Sequence, residues 1–310
     1  MEFLGGRQAS SEACPSPVKR GKYQLLSFHY LAILPALVTT IVIIVIPLLY
    51  SLILSLYRYI LTDPYNIRFI ALGNYYQAFH NPSFINSIKV TFIYAFVALG
   101  VEFILGMAAA VMVNNVIRGQ GLVRTAMLVP MFMTPAVAAL IWRFMLHPDL
   151  GIVNYFTRLL GCGTPVWLGN PTLALISVVF IDIWRNTPFM FLVFLAGMQS
   201  LPSELYEAAA VDGASSRQMF WRVTLPLLKP LILVALIIRG MDIFREFDTI
   251  FVATGGGPGY ATETISLATY RYSFRNYDIG VASAVSYIIF VIVFLLSLVF
   301  VNKMQQIQNE

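Results

Sequence analysis

Charge is scarce in this sequence: 11% of its 310 residues are Asp, Glu, Lys or Arg, against 58% hydrophobic. A soluble domain carries about 25% charged residues, so a water-facing surface cannot be built from this chain. Long polar stretches are missing too. None exceeds about 30 residues, which leaves no room for a separate soluble domain. Cysteine is limited to Cys14 and Cys162, in segments expected on opposite sides of a membrane, which argues against a disulfide. His29, His80 and His147 are isolated, with no metal-ligand spacing. Residues 1–27 lack the short apolar core of a signal peptide, so the first apolar run is expected to stay as an uncleaved anchor. The net charge of +5 is dispersed between apolar runs rather than gathered on one stripe, which excludes a nucleic-acid partner.

What is present is a series of long apolar runs. A spanning helix needs roughly 20 apolar residues. Four runs qualify easily: Tyr30–Leu54, Val90–Val113, Thr125–Leu146 and Gly280–Val301. Two more, Leu173–Met198 and Pro230–Phe251, carry charge. Together they predict an all-α integral membrane protein of six transmembrane helices with membrane lipid as surroundings. Pro-, Gly- and Asn-rich breaks such as Asn81–Pro82 and Gly169–Asn170–Pro171 separate the spans. Ten of the twenty Lys and Arg residues fall on the side of the N-terminus and six on the other. By the positive-inside rule both termini are cytoplasmic.

The charges inside the spans ask for an explanation, since a lone mid-bilayer charge costs a few kcal/mol or more. Arg239, Asp242 and Glu246 are three and four residues apart, on one helical face, with Arg245 three residues from Asp242. Asp182 and Arg185 repeat the spacing in the fourth span, followed by Asn186, Thr187 and Pro188. Glu102 stands alone in the second span. Helix–helix ion pairing explains such groups without a ligand, most readily for Arg245, Glu246 and Asp248 near the outer surface. Two polar stripes nonetheless exceed what an anchor needs, and they mark Asp182, Trp184, Arg185, Asn186, Arg239, Asp242, Arg245 and Glu246 as candidates for a substrate route.

Between the fourth and fifth spans the sequence predicts two short surface helices. Pro202 and Ser203 start the first, with Ser203 as N-cap; Glu204 and Glu207 suit its positive end; Asp212–Gly213 breaks it. Ser215 and Gln218 have the form of a capping box for the second, which Pro226 and Pro230 should terminate. Apolar residues here could simply rest on the membrane interface. The spacing says more: Glu207-Ala208-Ala209, Gly213 after three residues, then Val223-Thr224-Leu225-Pro226 after nine.

This pattern resembles the EAA loop of binding-protein-dependent ABC importer permeases, with Val223 where isoleucine is usual. Trp184–Met190, the Asp242–Asp248 region, and Thr254–Gly259 with Ala261–Thr264 look like the carbohydrate branch of that family, which serves maltose, trehalose, polyols and glycerol phosphate. The similarity runs from about Tyr30 to Lys303 and is densest over 179–283. The resemblance implies a core of five helices with the first span wrapping a partner. It implies a coupling contact with a separate ATPase through Glu207, Ala208, Ala209, Asp212, Gly213, Leu225 and Pro226. Its further partners would be a second, homologous permease, an ATP-binding cassette ATPase dimer and an extracytoplasmic solute-binding protein, with a carbohydrate as cargo.

By that resemblance residues 1–27 form a cytoplasmic tail, 28–303 the permease domain with its coupling loop at 199–229, and 304–310 a second tail, in a bacterial cytoplasmic (inner) membrane. No cofactor is expected in this chain; ATP and Mg would sit in the partner ATPase. Gly255–Gly259 has no Gly-Lys-Ser/Thr and cannot cradle a phosphate; it reads as a turn outside the membrane. The rival readings are an ion-gradient-driven secondary transporter, which would use the intramembrane carboxylates, and a membrane-embedded enzyme, for which no acid–base or metal set stands out.

Overall fold

The computed structural model describes residues 33–115 and 119–308, with the side chains of 307 and 308 excepted. Cys14 and the expected N-terminal tail lie outside the described residues. The chain divides into two compact units, Met1–Ser51 and Leu52–Glu310. The described part of the first belongs to an apolar helix, α1 (Ile33–Ser55), with a π turn at Ile41–Val45.

The second unit opens with a two-stranded antiparallel ribbon, β1 (Tyr57–Arg58) and β2 (Arg68–Phe69), and a short helix α2 (Gly73–His80). The main helices follow: α3 (Pro82–Asn114), α4 (Gln120–Phe132), α5 (Pro135–Met145), α6 (Ile152–Leu159), α7 (Pro171–Gln199) and α8 (Ser203–Val211). The chain closes with α9 (Ser216–Phe244), α10 (Asp248–Ala253), α11 (Ile265–Tyr270) and α12 (Ile279–Gln308).

The predicted breaks act as helix starters. Asn81 Oδ1 accepts the Ser83 N–H at 3.0 Å, and Asn170 Oδ1 accepts those of Thr172 and Leu173 at 3.0 and 3.2 Å. In each case a proline holds the first helical position, where its missing N–H costs nothing. Thr134 and Pro135 repeat the device, with Val137 N–H donating to Thr134 Oγ1 at 3.4 Å. That third start corrects the expectation of one continuous span over Thr125–Leu146. The segment is two helices, α4 and α5, bent by 94°. Pro130 and Pro135 remove two ladder donors, and extended backbone at Met133 and Thr134 turns the chain. Among the described residues five helices are thus long and apolar enough to cross a membrane, or six when the bent pair counts as one span.

The core sits along α3 and α7. Tyr94, Ala98, Val178 and Ile181 pack with Ile243 and Ile250 at one level. Met107, Ala110, Met190, Phe191 and Phe194 pack with Leu228 at another. Gly106 permits this contact: a Cβ there would lie 2.6 Å from Met190 Cβ and 3.0 Å from the Phe191 nitrogen.

The fifth span differs from expectation at both ends. The helix stops at Phe244 rather than Phe251, and Arg245–Phe247 form an elbow before α10. At its other end, Pro226 and Pro230 terminate nothing. The short helix from Ser216 passes through a π turn at Phe220–Thr224 and continues into Leu225–Phe244. The wide π turn gives the Pro226 ring space at the carbonyl it would otherwise strike, and Pro230 is carried as an interior helix proline.

Candidate functional site

Three helices bring charge to one buried point. Arg239 of α9 donates from Nε to Glu102 Oε2 at 2.8 Å and from Nη2 to Glu102 Oε1 at 2.9 Å, a bidentate pair with α3. The same Nη2 donates to Asp182 Oδ2 on α7. Glu102 and Asp182 are 0% exposed and Arg239 3%. Asn186, one turn after Asp182, donates to Asp182 Oδ1 at 2.7 Å.

The sequence named these residues but paired them differently. Spacing along one helix suggested Arg239 with Asp242 and Asp182 with Arg185; the structure joins residues on different helices instead. Glu102 is not alone, because Arg239 reaches it from 137 positions away. Asp242 turns outward and accepts from Arg245 at 2.9 Å, with both side chains more than half exposed. Arg185 donates to Glu246 Oε2 at 3.4 Å. Glu246 lies beyond the helix end, so it does not share a helical face with Arg239. It is buried, and its other oxygen accepts the Thr249 N–H at 3.0 Å, capping the first turn of α10. Helical periodicity can place neighbours on one helix, but it carries no information on which helices meet.

Around Arg185 some polar atoms lack protein partners: Arg185 Nε, Tyr94 Oη, Trp142 Nε1 and Thr249 Oγ1 are buried without one. The Trp184 ring meets Trp142 edge-on at 5.6 Å. Along α9, α11 and α12 an open groove is lined by Met241, Arg245, Ser266, Thr269, Ser286 and Phe290. It combines apolar surface with hydroxyls and one charged side chain, Arg245. Among the described residues no group of His, Cys, Asp or Glu could hold a metal ion.

The Gly-rich segment forms turns, as expected, with positive φ at Gly255, Gly256 and Gly259. Sequence reasoning missed what ties it down. Arg271 donates to both oxygens of Glu263 at 3.0 and 2.8 Å and to Ser83 Oγ at 3.0 Å. Burial works against the Arg271 charge, but the Glu263 bonds outweigh it and hold the guanidinium above its ordinary pKa.

The coupling-loop candidates are displayed on α8 and the start of α9. Glu207 and Ala208 are exposed and Ala209 is half-buried. α8 ends at Val211, and Gly213 takes a φ of +75°, a left-handed conformation suited to glycine. Ser203 does not cap α8 as expected: it is the first helical residue, and Pro202 stands at the cap position without a side-chain bond. The capping box is present, with Gln218 N–H donating to Ser215 Oγ at 3.4 Å and Ser215 N–H to Gln218 Oε1 at 2.8 Å. Leu225 and Pro226 follow directly on the π turn.

The long apolar helices, with their buried charges paired to one another, make this an all-α membrane protein. The chain belongs to the family of binding-protein-dependent transport system inner membrane components, whose pattern matches residues 83–308. It is 39% identical over 281 residues to the trehalose/maltose transport system permease protein MalF of Thermococcus litoralis, covering 91% of this chain and 95% of that one. With the trehalose transport system permease protein SugA of Mycobacterium tuberculosis (strain H37Rv) it shares 36% identity, over 88% of this chain and 87% of the relative. Its fold matches a subunit of a bacterial ABC transporter involved in the import of the acidic polysaccharide alginate. There the TM-score is 0.81 at 24% identity, covering 91% and 96% of the two chains. The same kind of transporter solved with an alginate pentasaccharide-bound periplasmic protein matches at a TM-score of 0.79 and 25% identity, over 89% and 93%.

Proposed function

We propose that this chain is the transmembrane subunit of an ATP-driven carbohydrate importer. It works with a second, homologous permease, an ATP-binding cassette ATPase dimer and an extracytoplasmic solute-binding protein. ATP and Mg are bound by the ATPase, not by this chain. Both termini face the cytoplasm, residues 28–303 form the permease domain, and the 199–229 loop is the coupling element. The observation that carries this reading is the exposure of Glu207 and Ala208 on a surface helix, with Asp212–Gly213 exposed just past its end, in the loop between two helices long enough to span. The names of the relatives, trehalose, maltose and glycerol phosphate permeases, support a sugar or sugar derivative as cargo.

The route runs past α7, α9, α11 and α12. Arg245 and Asp242 meet the cargo first, beside Ser266, Thr269 and Ser286. Trp184, Arg185, Asn186 and Glu246 lie deeper, while Asp182 and Arg239 hold the helices that form the wall. ATP-driven closure of the ATPases moves α8 and rocks the helices between inward-open and outward-open states.

Glu207→Lys tests the coupling role. The expected result is a chain that still inserts and pairs with the second permease but no longer copurifies with the ATPase. Unchanged copurification and ATP-dependent uptake would overturn the reading. The cargo is identified by thermal-shift screening of the companion binding protein against sugars, polyols and their phosphate and sulfonate derivatives.

A further inference from the structure

Helix α8 is held to the rest of the protein by little. None of its residues is fully buried, and Leu205 and Val211 are exposed. One side chain reaches inward with a polar group: the Tyr206 hydroxyl lies 3.0 Å from Thr224 Oγ1. Thr224 is buried and is the last residue of the π turn. Its hydroxyl donates to the Met219 carbonyl at 3.4 Å, across that turn. Either hydroxyl of the Tyr206–Thr224 pair can be the donor. Both residues line a cavity of about 240 Å³, of mixed polar and apolar lining, with Asn114, Asn115 and Ser216.

Two features make this bond consequential. Gly213, between α8 and α9, has a left-handed backbone and open space around its Cα, so the loop alone transmits force poorly. The π turn is a place where a helix can change register, and such turns recur at functional sites. Arg239 lies 15 residues beyond Thr224 on the same helix, about 22 Å along its axis.

The geometry points to the Tyr206–Thr224 hydrogen bond as the link that makes α8 and the base of α9 move as one body, so that a displacement of α8 reaches the buried Arg239 cluster instead of being absorbed at Gly213. Tyr206 is thus a positioning residue acting through Thr224. The inference rests on the proposed role of α8 as the ATPase contact.

The test uses the full assembly with Cys14→Ser and Cys162→Ser, and spin labels on Val211→Cys in α8 and Ile238→Cys on the exposed face of α9. Electron–electron distance measurements are made with and without MgATP and vanadate. With the native pair, one narrow distribution persists in both states. Tyr206→Phe keeps the ring and removes only the oxygen; it and Thr224→Val should roughly double the width, since the hydrogen bond tying the helices is gone. Thr224→Ser keeps the hydroxyl and should restore the narrow distribution.

A distribution in Tyr206→Phe as narrow as the native one overturns the inference, as does equal broadening by Thr224→Ser and Thr224→Val. Glu207→Lys separates the two readings. If that variant still binds the ATPase, the coupling role of α8 fails, whereas the link is judged by the distance widths alone.

Discussion

Arg239 meets two buried carboxylates with one positive charge. Taking such groups out of water is costly, and only mutual pairing with good geometry returns that cost. Removing the arginine is therefore worse than removing the whole cluster. Arg239→Met should lower stability by about 3–5 kcal/mol, because two buried carboxylates lose their partner. The triple variant with Glu102→Leu and Asp182→Leu should recover most of that loss. Thermal unfolding of the detergent-solubilised chain reads both; a triple variant less stable than the single one would contradict this account. The residue types of the cluster were legible in the sequence, since apolar spans make their few charges conspicuous. Their partners were not: Glu102, Asp182 and Arg239 come from three helices separated by 80 and 57 positions, and no periodicity spans such gaps.

At the scale of elements, the sequence marks where helices are interrupted more clearly than what each interruption does. Asn81–Pro82 and Asn170–Pro171, read from the sequence only as breaks between spans, combine a side-chain acceptor with a residue that needs no donor, and both open helices. Prolines alone mislead, because Pro226 and Pro230 are carried by a helix that a π turn and its surroundings accommodate. The α3–α7 contact depends on Gly106, where a side chain would collide with Met190 and the Phe191 backbone. Gly106→Val should cost about 1–3 kcal/mol through overpacking, seen as a lowered Tm. Gly100→Val, which has open space, serves as the control and should shift Tm far less.

At the scale of the whole molecule, the loop motif carried the functional assignment because it is local: Glu207 to Pro226 is one continuous stretch. The substrate route is not local. It depends on which side chains the assembled helices leave open, as Asp242 and Arg245 show by turning outward where helical spacing had suggested an inward stripe. If that groove lies on the route, Arg245→Ala should raise the KM for uptake by roughly threefold to tenfold, the effect of losing one exposed polar contact. Binding-protein-stimulated ATP hydrolysis should keep its maximal rate. A lost maximal rate with unchanged KM would instead assign Arg245 to the moving parts.

The 94° bend between α4 and α5 bears on how the chain is made. The 13 residues of α4 rise about 20 Å, short of the roughly 30 Å hydrocarbon layer, and the 11 residues of α5 rise less. Neither half spans the layer alone, and both pack against α7, so the segment is expected to settle only once α7 has been made. Chains truncated and released after Leu146 should have a glycosylation acceptor placed in this segment modified, and chains released after Gln199 should shield it. Insertion of both lengths alike would show that the translocation machinery accepts the bent pair unaided.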